Sequence, residues 1–169
     1  KLYRNCDNLK EGFEKFTDNG NEVSFVTIGD ASTSEGLFWE TLNAAAVLKV
    51  PLAVCVWDDG YGISVPRKYQ TAKNSISEAT AGFQYDEKLE SGIEIYKVKG
   101  WDYAALVKTF EEGVARVRET QIPALFHVQE VTQPQGHSTS GSHERYKSKE
   151  RLEWEKEMDC VAKLKAFIL

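Results

Sequence analysis

An open, mostly parallel α/β sheet with helices on both faces is the fold that the sequence predicts, and three observations carry that reading. Short apolar runs alternate with stretches of helical periodicity, the alternation contains no internal repeat, and one run, Leu52-Ala53-Val54-Cys55-Val56-Trp57, is apolar throughout, as in a strand covered on both faces. Two of these runs end in acidic turns, Gly29-Asp30-Ala31 and Asp58-Asp59-Gly60-Tyr61. Open parallel sheets bind ligands beyond the carboxyl ends of their strands, where these turns would lie.

The elements follow in order. A polar lead-in with a short helix around Asn8 to Phe16 reaches a turn at Asp18-Asn19-Gly20-Asn21. The first strand is Val23 to Ile28, and Ser34 is a candidate cap for a helix to about Lys49, with Leu37, Phe38, Thr41, Leu42, Ala45, Ala46 and Leu48 near one face. Val50-Pro51 stops that helix before the second strand. From Tyr61 to about Lys88 the pattern is irregular, with Gly62, Pro66 and many Ser, Thr and Asn residues, and predicts a long functional loop with short helical pieces. Ile93 to Val98 alternates as a third strand. Asp102 then caps a helix in which Tyr103, Leu106, Val107, Phe110, Val114 and Val117 recur at helical spacing. Ala124 to Val131 is the fourth strand. A loop over residues 132–142 follows, and then a charged helix with Leu152, Met158, Val161, Leu164 and Phe167 facing inward.

With 169 residues, 41% hydrophobic and 28% charged, the chain is expected to form one soluble domain spanning residues 1–169. A net charge of −5 and the lack of a basic patch exclude a phosphate-backbone surface, so no nucleic-acid partner is expected. No apolar run reaches the length of a membrane helix. Three scattered cysteines, Cys6, Cys55 and Cys160, fit neither a disulfide framework nor a CxxC metal site, and they point to a reducing cytoplasmic or organelle-matrix compartment. The first residue is Lys1, and the chain reads as a piece of a longer polypeptide.

Two acidic turns on one sheet edge suit a divalent cation bound together with a phosphate ester. Mg²⁺ takes about six oxygens and keeps water or phosphate among them; Asp30, Asp59 and the Tyr61 carbonyl are candidate ligands. Ala31 and Ser32 stand at an expected helix start, whose free N–H groups attract phosphate oxygens. An acidic turn taken alone is more often a solvated loop or a cap, and it is the pairing that raises the metal reading. His137 is either an exposed loop histidine or a hydrogen-bond or proton donor beside a cofactor. His127, inside a strand, reads as a hydrogen-bonded structural residue, and His143 as solvated.

Gly29-Asp30-Ala31-Ser32, Glu35-Gly36, Glu40, Leu42-Asn43-Ala44-Ala45 and Asp58-Asp59-Gly60-Tyr61-Gly62-Ile63-Ser64-Val65-Pro66 resemble the thiamine diphosphate motif of the alpha subunits of 2-oxo acid dehydrogenases. The likeness continues through Gly100-Trp101-Asp102, Gly136-His137-Ser138-Thr139-Ser140 and Tyr146-Lys147-Ser148, and so covers nearly the whole chain. It implies the diphosphate-binding half of a thiamine diphosphate fold, with Mg²⁺ on Asp30, Asp59 and Tyr61. It also implies cofactor contacts from Asp30, Ala31, Ser32, Asp59, Ile63 and His137, with His137 the catalytic residue at the mouth of the site. The implied reaction is decarboxylation of a branched-chain 2-oxo acid or pyruvate, with the acyl group passed to a lipoyl-bearing acyltransferase. The implied partner is a beta subunit, or a fused domain that binds the pyrimidine end, in a dimer or heterotetramer. Ser138 and Ser140 stand at positions like those phosphorylated in some relatives, though a flexible polar loop is the favoured reading.

The chain departs from that pattern in three places. The family usually has Gly where Ala31 stands, Asn-Asn where Asp58-Asp59 stand, and often Arg near Gln133. The extra charge of Asp59 is expected to make cofactor binding more dependent on metal. With the pyrimidine half absent, the isolated fragment is expected to fold without catalysing. Three rivals remain: a transketolase-like or simple decarboxylase half-site, a non-catalytic assembly module, and a nucleotide-binding Rossmann domain, the last disfavoured because no GxGxxG follows the first strand.

Overall fold

β2 (Leu52–Trp57) and β6 (Ala124–Gln129) form the buried centre of a parallel four-stranded sheet, with β1 (Ser24–Gly29) outside β2 and β5 (Glu94–Lys99) outside β6. The computed structural model describes residues 11–137 and 142–169. Ser138, Ser140, Cys6 and the first residues of the helix expected around Asn8 lie outside the described residues; of that helix a 3₁₀ turn, Phe13–Phe16, is seen.

Period-two alternation divides the central strands between two faces. Leu52, Val54 and Val56 meet Phe38, Leu42, Ala45 and Ala46 of α1 (Gly36–Leu48), and the same layer holds Ile76 of α2 (Ile76–Ala79), Ile93 and Leu125. Ala53, Cys55, Ala124 and Phe126 face α3 (Tyr103–Thr120) through Val117, Phe110 and Val114. The ring of Phe126 stacks on Tyr96 at 5.0 Å and on Phe110 at 4.5 Å. A Cβ on Gly113 would fall 2.5 Å from that ring, so glycine is what lets α3 sit this close. Burial makes Cys55 a small apolar filler and pushes its thiol up to about 11. Helices therefore cover both faces, as the sequence predicts.

The long segment after β2 holds a hairpin of β3 (Tyr61–Gly62) and β4 (Val65–Pro66), several 3₁₀ turns and α2. Asp102 caps α3 by accepting from the Ala105 N–H at 3.0 Å, as expected. Other local expectations change. Ser34 does not cap α1: residues Ala31–Ser34 form a 3₁₀ turn, Glu35 is extended, and the Ser34 hydroxyl donates to the Gln70 carbonyl. Leu37 is 72% exposed and Leu48 is exposed as well, because the stripe of α1 that reaches the sheet is set by Phe38, Leu42, Ala45 and Ala46. The fourth strand stops at Gln129, before a left-handed Glu130. The terminal helix is two, α4 (Lys149–Glu157) and α5 (Cys160–Ile168), because Asp159 breaks the run and caps α5 through the Ala162 N–H. Val161 and Phe167 are consequently exposed rather than inward-facing. No helix among the described residues is long and apolar enough to cross a membrane.

Candidate functional site

The chain leaves β1, β2 and β6 at the same edge of the sheet, and the three loops enclose a cleft of ≈ 760 Å³. Asp30, Ala31, Ser32, Asp59, Tyr61, Ile63 and His137 all line it, with Gln70, Thr132 and Gln133 adding polar wall. Every residue singled out from the sequence for cofactor or metal therefore borders one space.

The first loop is short and tied down. The Asp30 N–H donates to the Trp57 carbonyl at 3.2 Å, while the Asp30 carbonyl accepts from the Thr33 hydroxyl at 2.6 Å and the Thr33 N–H at 3.1 Å. This fixes the Asp30 carboxylate in a place where only 3% of the residue is exposed, and its Oδ2 has no hydrogen-bond partner among the described residues. Burial, then the neighbouring Asp58 and Asp59 charges, push the carboxyl up to about 7. An oxygen so placed lacks a cation or a donor.

The second loop separates its two aspartates by role. Asp58 is fully buried, and its main chain extends the β2–β6 ladder by donating to the Val128 carbonyl and accepting from the Val131 N–H. Its Oδ1 accepts from the Gly60 N–H at 2.8 Å; its Oδ2 accepts from His127 Nε2 at 2.7 Å and from the Arg67 guanidinium. Burial opposes this charge, but the His127 hydrogen bond and the Arg67 cation hold the carboxyl below its usual range. Asp59 instead borders the cleft; its Oδ1 accepts from the Tyr61 N–H at 3.0 Å, and burial pushes its carboxyl up. Gly62 packs against the first loop so closely that a Cβ there would lie 2.8 Å from the Ala31 Cβ. Ile63 is in the left-handed region at φ 58° and 57% exposed, a conformation that a β-branched residue rarely adopts.

The third loop brings exposed His137 to the cleft. His127 is indeed a buried, hydrogen-bonded residue, whereas His143 is half-buried with a shielded Nδ1 rather than solvated. Gly100-Trp101-Asp102 is anchored near this loop, since Trp101 Nε1 donates to Glu130 at 2.8 Å and Gly100 abuts Val131.

Sequence reasoning missed the supports behind the turn. Arg67 and Ser77 gave no signal in an irregular segment. Arg151 donates to the Asp59 carbonyl at 2.7 Å, and buried Lys147 donates to Glu155 at 2.8 Å while lying 5.0 Å from the centre of the Tyr61 ring. Charged side chains in a charged helix read as solvated. Among the described residues no three His, Cys, Asp or Glu side chains converge as a metal cluster. Two carboxylates remain at the cleft, a donor set that suits a hard cation completing its shell with phosphate and water.

The profile of the dehydrogenase E1 component family matches residues 10–169. The chain is 30% identical over 149 residues to the alpha subunit of 3-methyl-2-oxobutanoate dehydrogenase from Mycobacterium tuberculosis, covering 88% of this chain and 38% of that one. It is 31% identical over 148 residues to the alpha subunit of an acetoin:2,6-dichlorophenolindophenol oxidoreductase from Bacillus subtilis, covering 87% and 41%. It is 33% identical over 152 residues to the alpha subunit of the pyruvate dehydrogenase E1 component from Acholeplasma laidlawii, covering 88% and 41%. The chain thus spans roughly two-fifths of the length of these curated relatives.

Proposed function

This chain belongs to the dehydrogenase E1 component family, and from that premise we propose that it is the diphosphate- and Mg²⁺-binding part of a thiamine diphosphate-dependent 2-oxo acid dehydrogenase. The observation that carries the reading is the Asp30 carboxylate oxygen, buried at the cleft without a partner among the described residues, beside a turn that presents Asp59. Mg²⁺ would be held by Asp30, Asp59 and the Tyr61 carbonyl, and the diphosphate would lie against Ala31 and Ser32. Thiamine diphosphate, when bound, supplies the electron sink for decarboxylating a 2-oxo acid.

The chain's own residues bind and orient. Exposed Ile63 offers an apolar surface to the organic part of the cofactor, and a residue kept in so unfavourable a backbone conformation fits a ligand contact. His137, at the rim, would act as a hydrogen-bond or proton donor to the substrate. Gln133 borders the cleft near where the family resemblance implies an Arg, so a neutral side chain would contact the diphosphate there. The partner would be a beta subunit or fused domain carrying the pyrimidine end, in a dimer or heterotetramer. The exposed outer strand β1, with Phe25 54% exposed, fits a chain that is completed by more protein. Transfer of the acyl group to a lipoyl-bearing acyltransferase completes the reaction. By its few, scattered cysteines the chain would belong to a reducing compartment, the cytoplasm or an organelle matrix.

Calorimetric titration of the complete protein with thiamine diphosphate at varied Mg²⁺ tests this reading. Binding that requires Mg²⁺ and is lost in Asp30→Ala supports it; no binding overturns it. Asp59→Asn is expected to bind with less dependence on Mg²⁺, and equal dependence would remove the role given to the extra charge. Turnover of 3-methyl-2-oxobutanoate and pyruvate, with acetoin as the rival substrate, then separates the substrate classes named for the relatives.

A further inference from the structure

Three carboxylates crowd this edge of the sheet, and their partners sort them. Asp30 and Asp59 border the cleft, and one oxygen of Asp30 has no partner among the described residues. Asp58 does not border it. Both oxygens of Asp58 are engaged from the protein side, by the Gly60 N–H, by His127 and by Arg67, and the residue has no exposed surface. The Ser77 N–H donates to His127 Nδ1 at 3.3 Å, which makes Nδ1 an acceptor and leaves the imidazole proton on Nε2, aimed at Asp58. The Ser77 hydroxyl lies 3.0 Å from the same Nδ1. A buried line of hydrogen bonds therefore runs from α2, through β6, to the first residue of the turn that carries Asp59 and Tyr61.

We propose that His127 is a positioning residue for the cation–diphosphate site, holding Asp58 from within the sheet so that Asp58 shapes the Asp58–Tyr61 turn and is not itself a ligand. The inference rests on the function proposed above and adds to it a supporting residue. Asp58 accepts the Gly60 N–H only while its carboxylate lies in the plane that His127 and Arg67 impose, and that N–H bond closes the turn. Remove the imidazole donor and a buried carboxylate loses a partner beside two others of its own charge, so the turn relaxes where Asp59 must meet the metal.

The test is the affinity of the complete protein for inorganic diphosphate and for thiamine diphosphate, each with saturating Mg²⁺, alongside the thermal midpoint of the ligand-free form. Asp58→Ala and His127→Leu are expected to weaken binding roughly ten- to a hundredfold, the usual effect of losing a residue that orients a metal ligand. His127→Gln, which still donates to Asp58, is expected to stay within a few fold of wild type. A loss in Asp58→Ala far larger than that in His127→Leu would make Asp58 a ligand and overturn the proposal. So would unchanged affinity in Asp58→Ala and His127→Leu, whatever their thermal midpoints, because their role would then be structural only. Should His127→Leu not fold, a full loss of binding in His127→Gln would also overturn it. A wild-type protein that binds neither probe refutes the proposed function; a wild type that binds while the variants fail these expectations refutes this inference alone.

Discussion

The guanidinium of Arg151 donates to the carbonyl of Asp59 at 2.7 Å, so α4 grips the main chain of a turn 92 residues earlier in the sequence. The same guanidinium lies 5.5 Å from the centre of the Tyr61 ring and 4.7 Å from that of Trp154, and its Nε donates to Glu155 at 2.8 Å. The acidic turn is thus held from two sides, by His127 from within the sheet and by Arg151 from the last helical layer.

Arg151→Met should keep most of the packing of the stem and lose the charged hydrogen bonds. The expected loss is about 1.5–3 kcal/mol, read as a lower urea midpoint at unchanged slope. A midpoint equal to wild type would show that the Asp59 carbonyl does not depend on this contact.

Lys147 and Glu155 form a pair with side chains 1% and 2% exposed. Glu155→Ala would strand the buried ammonium, with an expected loss of roughly 3–5 kcal/mol. The double variant Lys147→Met/Glu155→Leu leaves no charge of that pair behind and should recover much of that loss. Urea unfolding of the single and double variants decides the matter, and a double variant less stable than the single one contradicts it.

The buried Asp30 carboxyl, raised from 3.8 to about 7 first by burial and then by Asp58 and Asp59, gives a signed dependence on pH. Between these values the folded state holds a proton that the unfolded chain has released, so ligand-free stability falls as pH rises through that window. Asp30→Asn should abolish this part of the fall. Mg²⁺ with diphosphate should stabilise the wild type more at pH above the window than below it, because the cation replaces the proton. Parallel stability curves for wild type and Asp30→Asn from pH 4 to 8 would contradict both statements.

Ile63 stores backbone strain at the rim of the cleft. Asparagine accepts the left-handed region far better, so Ile63→Asn should raise the ligand-free stability by about 1 kcal/mol. The same change removes the apolar surface and should weaken thiamine diphosphate while leaving inorganic diphosphate untouched. Equal effects on the two ligands would place the contribution of Ile63 in the turn and not at the organic half of the cofactor.

Much of this is legible in the sequence. The uninterrupted apolar run of β2 marked a central strand, the alternation between apolar runs and helical periodicity marked a parallel sheet, and the acidic turns lay where such sheets bind ligands. The helix faces that differ share one cause. Leu37, Val161 and Phe167 are apolar at helical spacing but point away from the core, since periodicity says that a helix has an apolar side without saying how much of it a neighbour covers.

Which segments are strands follows from local pattern, and in a parallel sheet the turns after them carry Asp30, Asp59 and His137 to one edge. Only the tertiary structure decided what each carboxylate does there. Asp58 and Asp59 are adjacent and chemically identical, yet one faces His127 and Arg67 inside the protein while the other faces the cleft. That difference comes from partners at sequence separations of 9, 69 and 92 residues, and only packing in three dimensions brings such distant groups within the few ångströms over which hydrogen bonds act.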